Sequence, residues 1–295
     1  MIQALPPVPV VITFVLLGIA ILGLWVGRAM WSGALLLAVV AGYVAGVLAN
    51  VAVLWIVLFA AACVLYRRVQ WPSASTSARA LKALAAIAIV LLSVALAAHV
   101  LPGFHNLLIA RDIVLSPGAE PYTLYLNFDK TLVGILILGI VYGGLLHTAR
   151  DLGQALQRAA PIILVMVPAI AILAFTLDYL RYDPKWPALF WIWAASNLLL
   201  TCLSEEAFFR GLVQRELQHA WQHRPYGAWL AIAISATTFG MAHFAGGASY
   251  VLLATVAGFA YALVYRVTDK VEMSMLAHFT LNTIHFLLFT YPRAA

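Results

Sequence analysis

From Lys82 to Leu101 the chain reads KALAAIAIVLLSVALAAHVL, and Lys82 at its start is the only charged side chain in the run. About 20 apolar residues, at 1.5 Å rise per helical residue, cover the hydrocarbon core of a bilayer. The stretch therefore reads as a membrane-crossing helix. Applied outward, the same measure finds apolar runs near 10–27, 32–49, 51–66, 131–147 and 160–180. A long run near 188–218 follows, and then 228–245, 248–266 and 273–291. Gly46 and Asn50 are the turn signals that divide Trp31 to Tyr66 into two crossings. The expected fold is an all-α polytopic transmembrane helix bundle of about 8 to 10 spans.

Composition agrees. Of the 295 residues 64% are hydrophobic and 9% charged, and the mean hydropathy is +0.98. A soluble domain of this length needs far more charge to cover its surface. The net charge of +6 does not point to nucleic acid, because the basic residues are spread over alternate loops. Arg67, Arg68, Arg79 and Lys82 share one loop, Arg150 and Arg158 a second, Arg210, Arg215 and Arg224 a third, and Arg266 with Lys270 a fourth. An excess of Lys and Arg marks cytoplasmic loops, so the segment from Pro102 to Lys130 faces outward as the one sizeable loop on that side. No basic residue precedes the first apolar run between Met1 and Pro9, which argues against a cleaved signal peptide. The two cysteines, Cys63 and Cys202, lie in apolar stretches without a Cys-x-x-Cys pairing and read as packing residues. The organisation expected is N-terminal transmembrane helices of unassigned role over 1–130, with the outward loop near 102–130, and a core over 131–295.

Three polar groups interrupt the apolar runs of the second half: Glu205-Glu206-Ala207-Phe208-Phe209-Arg210, Phe239 with His243, and His278 with Asn282. Ionisable residues at membrane depth are costly and mark function. Residues four apart share a helix face, so Glu206 pairs with Arg210, Phe239 with His243 and His278 with Asn282. Glu205 is about 100° around the helix from Glu206, so the two carboxylates are expected to serve different partners. Arg210 would hold Glu206, leaving Glu205 to point into the bundle as a general base. A carboxylate with an imidazole can activate water, and a His and Asn on one face can stabilise an oxyanion. The set suits hydrolysis of an acyl compound.

In residue type, order and interval these motifs resemble the CPBP family, named for CAAX proteases and bacteriocin-processing enzymes and also called ABI-type glutamic intramembrane proteases. The family patterns EExxxR, FxxxH and HxxxN or HxxxD read here as EEAFFR, FGMAH and HFTLN, within residues 188–290. The resemblance implies that Glu205 is the base and His243 its partner in activating water. It makes His278 and Asn282 the oxyanion-stabilising pair and Glu206 and Arg210 supports. Phe239 reads as packing. The implied enzyme is a metal-independent intramembrane endopeptidase, without cofactor, acting on a membrane-associated protein or peptide. A bacterial inner membrane fits the basic loops.

Other readings are open at this level. Two imidazoles and one carboxylate offer an open zinc site, although the close His-Glu-x-x-His spacing of many zinc proteases is absent. A non-catalytic scaffold or immunity protein, or a transporter, would also use such a bundle. His285, outside the motifs, reads as packing beside the site, and His219 and His223 as solvated. His99, His105 and His147 fall at span ends. Trp31, Trp71, Trp186, Trp221 and Trp229 read as interfacial anchors, with Trp191 and Trp193 facing lipid. Upright helices would leave His243 and His278 at different depths, unless the chain breaks near Gly246 and Gly247.

Overall fold

The computed structural model describes residues 2–3, 5–69 and 75–295; Trp71 lies outside the described residues. Every apolar run found in the sequence is helical. The α-helices are α1 (Val8–Val26), α2 (Arg28–Val44), α3 (Asn50–Arg68), α4 (Thr76–Ala97), α5 (Phe128–Leu136) and α6 (Ala149–Thr176). After them come α7 (Phe190–Ser196), α8 (Leu203–Glu206), α9 (Arg215–Ala220), α10 (Gly227–Met241), α11 (Ala248–Thr268) and α12 (Val271–Leu288). π-helical segments at Asn197–Cys202 and Ala207–Gln214 join α7, α8 and α9 into one rod, and another at Ile137–Tyr142 extends α5.

The chain is an integral membrane protein built as a helical bundle. Among the described residues, α1, α3, α4, α6 and α11 are long and apolar enough to cross a membrane by themselves, and α2 and α10 are shorter apolar helices. The expected span count of about 8 to 10 is thus corrected to five by that criterion. The physical reason lies in the remaining runs: α5 and the rod are divided by π-helical turns, and α12 carries the polar third motif.

Local signals set the boundaries. Ser75 caps α4 by accepting from the Ala78 amide, and Thr148 caps α6 by accepting from the Asp151 amide. Gly46, at φ +73°, makes the turn between α2 and α3. The end of α5 frees carbonyls that helical winding leaves unpaired. Arg67 donates to the Ile140 carbonyl at 3.0 Å and Arg215 to that of Tyr142 at 2.8 Å.

The segment read as an outward loop contains an antiparallel hairpin, β1 (Leu107–Ile113) and β2 (Tyr122–Leu126), with Leu107 opposite Leu126. β-branched and aromatic residues on both sides of Ser116-Pro117-Gly118 favour it. Single bridges tie Ile2 to Ala110, Ala119 to Ala294 and Tyr182 to Phe289, so both termini gather at this end. Two tryptophan expectations fail. Trp31 is buried and its ring lies where a side chain at Gly139 would stand. Trp193 is buried and stacks on Phe286 at 4.0 Å, whereas Trp191 is exposed as expected.

Two apolar clusters fill the bundle. One joins α1 to α5 and receives Leu203, Ala207 and Leu212 from the rod; the other joins α6, α10, α11 and α12 and receives Phe209. The rod is the seam between them, and the first polar motif sits on that seam.

Candidate active site

Each motif residue is placed by a local feature of its helix. Glu205 and Glu206 occupy the short α-helical turn between two π-helical segments, a winding often found at functional sites because it re-aims side chains. α10 has only 15 residues and ends at Met241. His243 therefore follows directly in a turn that becomes a 3-10 segment at Phe244–Gly246, and Gly247 at φ +87° starts α11. The break near Gly246 and Gly247 solves the depth problem. The Phe239 ring lies 4.8 Å from that of His243 and 5.6 Å from that of His278.

The supporting pair forms as expected. Glu206 and Arg210 are both fully buried, with Arg210 Nη1 at 3.1 Å from Glu206 Oε2 and 3.2 Å from Oε1. Arg210 Nη2 donates to the Gly258 carbonyl at 2.7 Å, and its guanidinium lies 4.7 Å from the centre of the Phe239 ring. Phe239 is thus more than filler: its π face carries a buried cation.

The expectation that the two carboxylates serve separate partners fails at His278. Its Nδ1 donates to Glu206 Oε1 at 2.9 Å, and its Nε2 stands 4.0 Å from Glu205 Oε2. An imidazole carries nitrogens on two edges, so it can sit between acids that diverge from one helix. Tyr261 stacks on the same ring at 4.7 Å and 18°, which fixes its plane.

Two partners were not foreseen. Lys130, in the first turn of α5, donates to Glu205 Oε1 at 2.6 Å. Asn282 Nδ2 donates to Asn197 Oδ1 at 3.2 Å, and Cys202 Sγ lies 3.4 Å from the same oxygen. Lys130 reaches Glu205 because α5 and α8 touch at Gly134, where a Cβ would overlap the Leu203 side chain and come within 3.2 Å of Ser204 Cα. Gly134→Val is accordingly expected to push α5 off the rod, costing about 1 to 3 kcal/mol of stability and most of the activity. Thermal unfolding in detergent and cleavage rate measure both; unchanged values would disprove the close approach.

His243 Nδ1 lies 2.8 Å from the Phe239 carbonyl. A carbonyl only accepts, so Nδ1 carries the hydrogen, and the neutral ring keeps its lone pair on Nε2. The turn behind it is tied to the C-terminal residues: Arg293 donates to the Gly246 carbonyl at 2.8 Å and to Glu120 Oε1 at 2.7 Å. That hydrogen bond holds the Glu120 carboxyl below its usual range.

Two cavities meet at His243. One, about 100 Å³, is lined by His243, His278, Asn282 and His285 among apolar side chains of α6, α11 and α12. The other, about 330 Å³, is lined by Glu205, Lys130 and His243 with residues of α4 and α5. His285, expected to be packing, accordingly faces the first cavity and contacts the Thr290 carbonyl at 3.2 Å.

Residues 186–284 match the family model described as type II CAAX prenyl endopeptidase, Rce1-like. This segment, about a third of the chain, is similar to that family. No curated protein and no solved structure matches the chain. The Rce1-like segment holds all seven motif residues, Glu205 to Asn282, and Asn197 as well. Lys130 lies outside it and comes from the preceding part of the chain. Among the described residues no group of three or more His, Cys, Asp or Glu side chains stands ready to hold a metal ion.

Proposed function

We propose that the protein is a glutamic-type intramembrane endopeptidase. It hydrolyses a peptide bond in a membrane-associated protein or peptide, in a bacterial inner membrane. The observation that carries this reading is the state of Glu205. One carboxylate oxygen is fixed by Lys130, and the other is buried without a hydrogen-bond partner among the described residues, 4.0 Å from His278 Nε2.

In this reading a water molecule hydrogen-bonds to Glu205 Oε2 and to the free Nε2 of His243. Its proton passes to Oε2 as its oxygen attacks the scissile carbonyl carbon. The carbonyl electron pair moves onto oxygen, where the Nε2–H of His278, protonated on both ring nitrogens with Nδ1–H kept on Glu206, and the Asn282 amide stabilise the charge. Collapse re-forms the carbonyl, breaks the C–N bond and returns the proton from Glu205 to the departing nitrogen. Glu206 orients His278 through Nδ1, and Arg210 neutralises Glu206.

Metal independence rests on how the donors are spent. Glu205 is held by Lys130, Glu206 and His278 Nδ1 by each other, and His243 Nδ1 by a backbone carbonyl. A zinc ion would have to break these contacts to gather its ligands. The family description makes a prenylated peptide ending in Cys-a-a-X the first substrate to try. The test is cleavage of a quenched fluorogenic farnesylated peptide of that form by purified protein, before and after chelation, with metal analysis. Undiminished cleavage after chelation and substoichiometric zinc are expected; loss restored by zinc would establish the metalloprotease instead.

A further inference from the structure

The 330 Å³ cavity on the Glu205 side is built from both parts of the chain. α4 contributes Ser93, Val94 and Ala97, α5 contributes Lys130 and Val133, and the rod contributes Ser204 and Glu205. It differs from its neighbour across His243 in one respect. Ser93 Oγ, Ser204 Oγ and Glu205 Oε2 are all buried and all lack a hydrogen-bond partner among the described residues, and all three residues line this cavity. Ser93 and Ser204 are each only 2% exposed.

Buried hydroxyls without partners are expensive, at about 1 to 3 kcal/mol each, and neither serine donates to the preceding helical turn as other hydroxyls in this chain do, Thr238 and Thr255 among them. Lys130 adds donors, since an ammonium has three hydrogens and Glu205 Oε1 takes one. The cavity is large enough for several water molecules at about 30 Å³ each. An anion does not suit it, because the one cation already faces a carboxylate. Water meets each group: it donates to Oε2 and both accepts from and donates to hydroxyls.

The rim is apolar, and a polar cluster lies beside it. Ala97 and Ala98, at the mouth, are exposed. They adjoin His99, whose Nδ1 lies 2.7 Å from Asp129 Oδ2, and Asn106 donates to Asp129 Oδ1 at 2.9 Å. Asp129 immediately precedes Lys130. A hydrogen-bonded cluster at the end of the bundle thus leads to the lysine that holds the base.

We propose that this cavity is the water-holding side of the site: Ser93, Ser204 and Lys130 keep ordered water against Glu205 Oε2, while the scissile carbonyl faces His278 and Asn282 on the other side. The proposal rests on the protease reading for its purpose. It assigns α4 and the start of α5, outside the Rce1-like segment, a positioning role in supplying the nucleophile.

The test is cysteine accessibility in the full-length protein in native membranes. Ser93→Cys and Ser204→Cys are made singly, and each is treated with methyl methanethiosulfonate. Only a thiolate reacts, and a thiolate needs water. Both engineered thiols are expected to be modified at least about tenfold faster than a cysteine at lipid-facing Leu91, with unsubstituted protein, whose Cys63 and Cys202 are buried, as background. Modified Ser93→Cys protein is expected to lose kcat while its thermal unfolding temperature in detergent stays unchanged, a combination that a loosened fold would not produce. Modification no faster than at Leu91→Cys, for both variants, would overturn the proposal. Cleavage retained by Glu205→Gln would instead overturn the protease reading and leave the labelling result standing.

Discussion

Glu205→Gln is expected to lower kcat by about 10³-fold, within the range that a positioned proton acceptor supplies, while the protein still inserts and accumulates. The amide keeps the shape of the carboxylate and can still accept from Lys130 through its oxygen. It cannot take a proton from water. Some stability is lost, because Lys130 then faces a neutral group, but at 16% exposure the ammonium lies near the cavity mouth and regains solvent. Cleavage of the fluorogenic peptide by purified variant, beside thermal unfolding in the same detergent, separates the two effects. Wild-type turnover by Glu205→Gln would remove Glu205 from the chemistry.

Arg210→Ala is expected to act on the fold rather than on a single step. Arg210 and Glu206 are both 0% exposed, so removing the guanidinium leaves a carboxylate buried without its countercharge. It also frees the Gly258 carbonyl and strips the cation from the Phe239 face. Breaking a buried pair from one side costs about 3 to 5 kcal/mol, against about 5 to 15 kcal/mol for a whole domain. Little folded protein should be recovered by size-exclusion chromatography in detergent. Adding Glu206→Gln should restore part of the loss, because the orphaned charge is then gone. A normal yield of Arg210→Ala would show that the pair bears little of the stability.

The two variants separate roles that the sequence had already sorted. Spacing of four along a helix assigned Arg210 to Glu206, and hydropathy located every helical run, although α6 begins at Ala149, well before the apolar run near 160–180. The divergence of neighbouring carboxylates was argued from regular α-helical winding, yet α8 lies between π-helical segments, and the single His278 ring ends up near both acids. Lys130 was invisible for a different reason. It closes the outward segment, where a lysine reads as solvated, and it is 75 residues from Glu205; only the contact at Gly134 and Leu203 brings it there. Asn197 belongs to no motif, and only its contact with Asn282 singles it out. The hairpin at 107–126 was missed because a proline- and glycine-rich segment between helices invites no strand assignment. Local periodicity is legible in one chain, whereas contacts made by close packing of distant helices are not.

If Glu205 is the base, proteolysis in the membrane depends on its carboxylate. Membranes from cells expressing wild-type protein or Glu205→Gln at equal abundance can be compared for newly formed amino termini by mass spectrometry. A set of termini present with the wild type and absent with the variant is the predicted result. The same termini at the same abundance in both would contradict it.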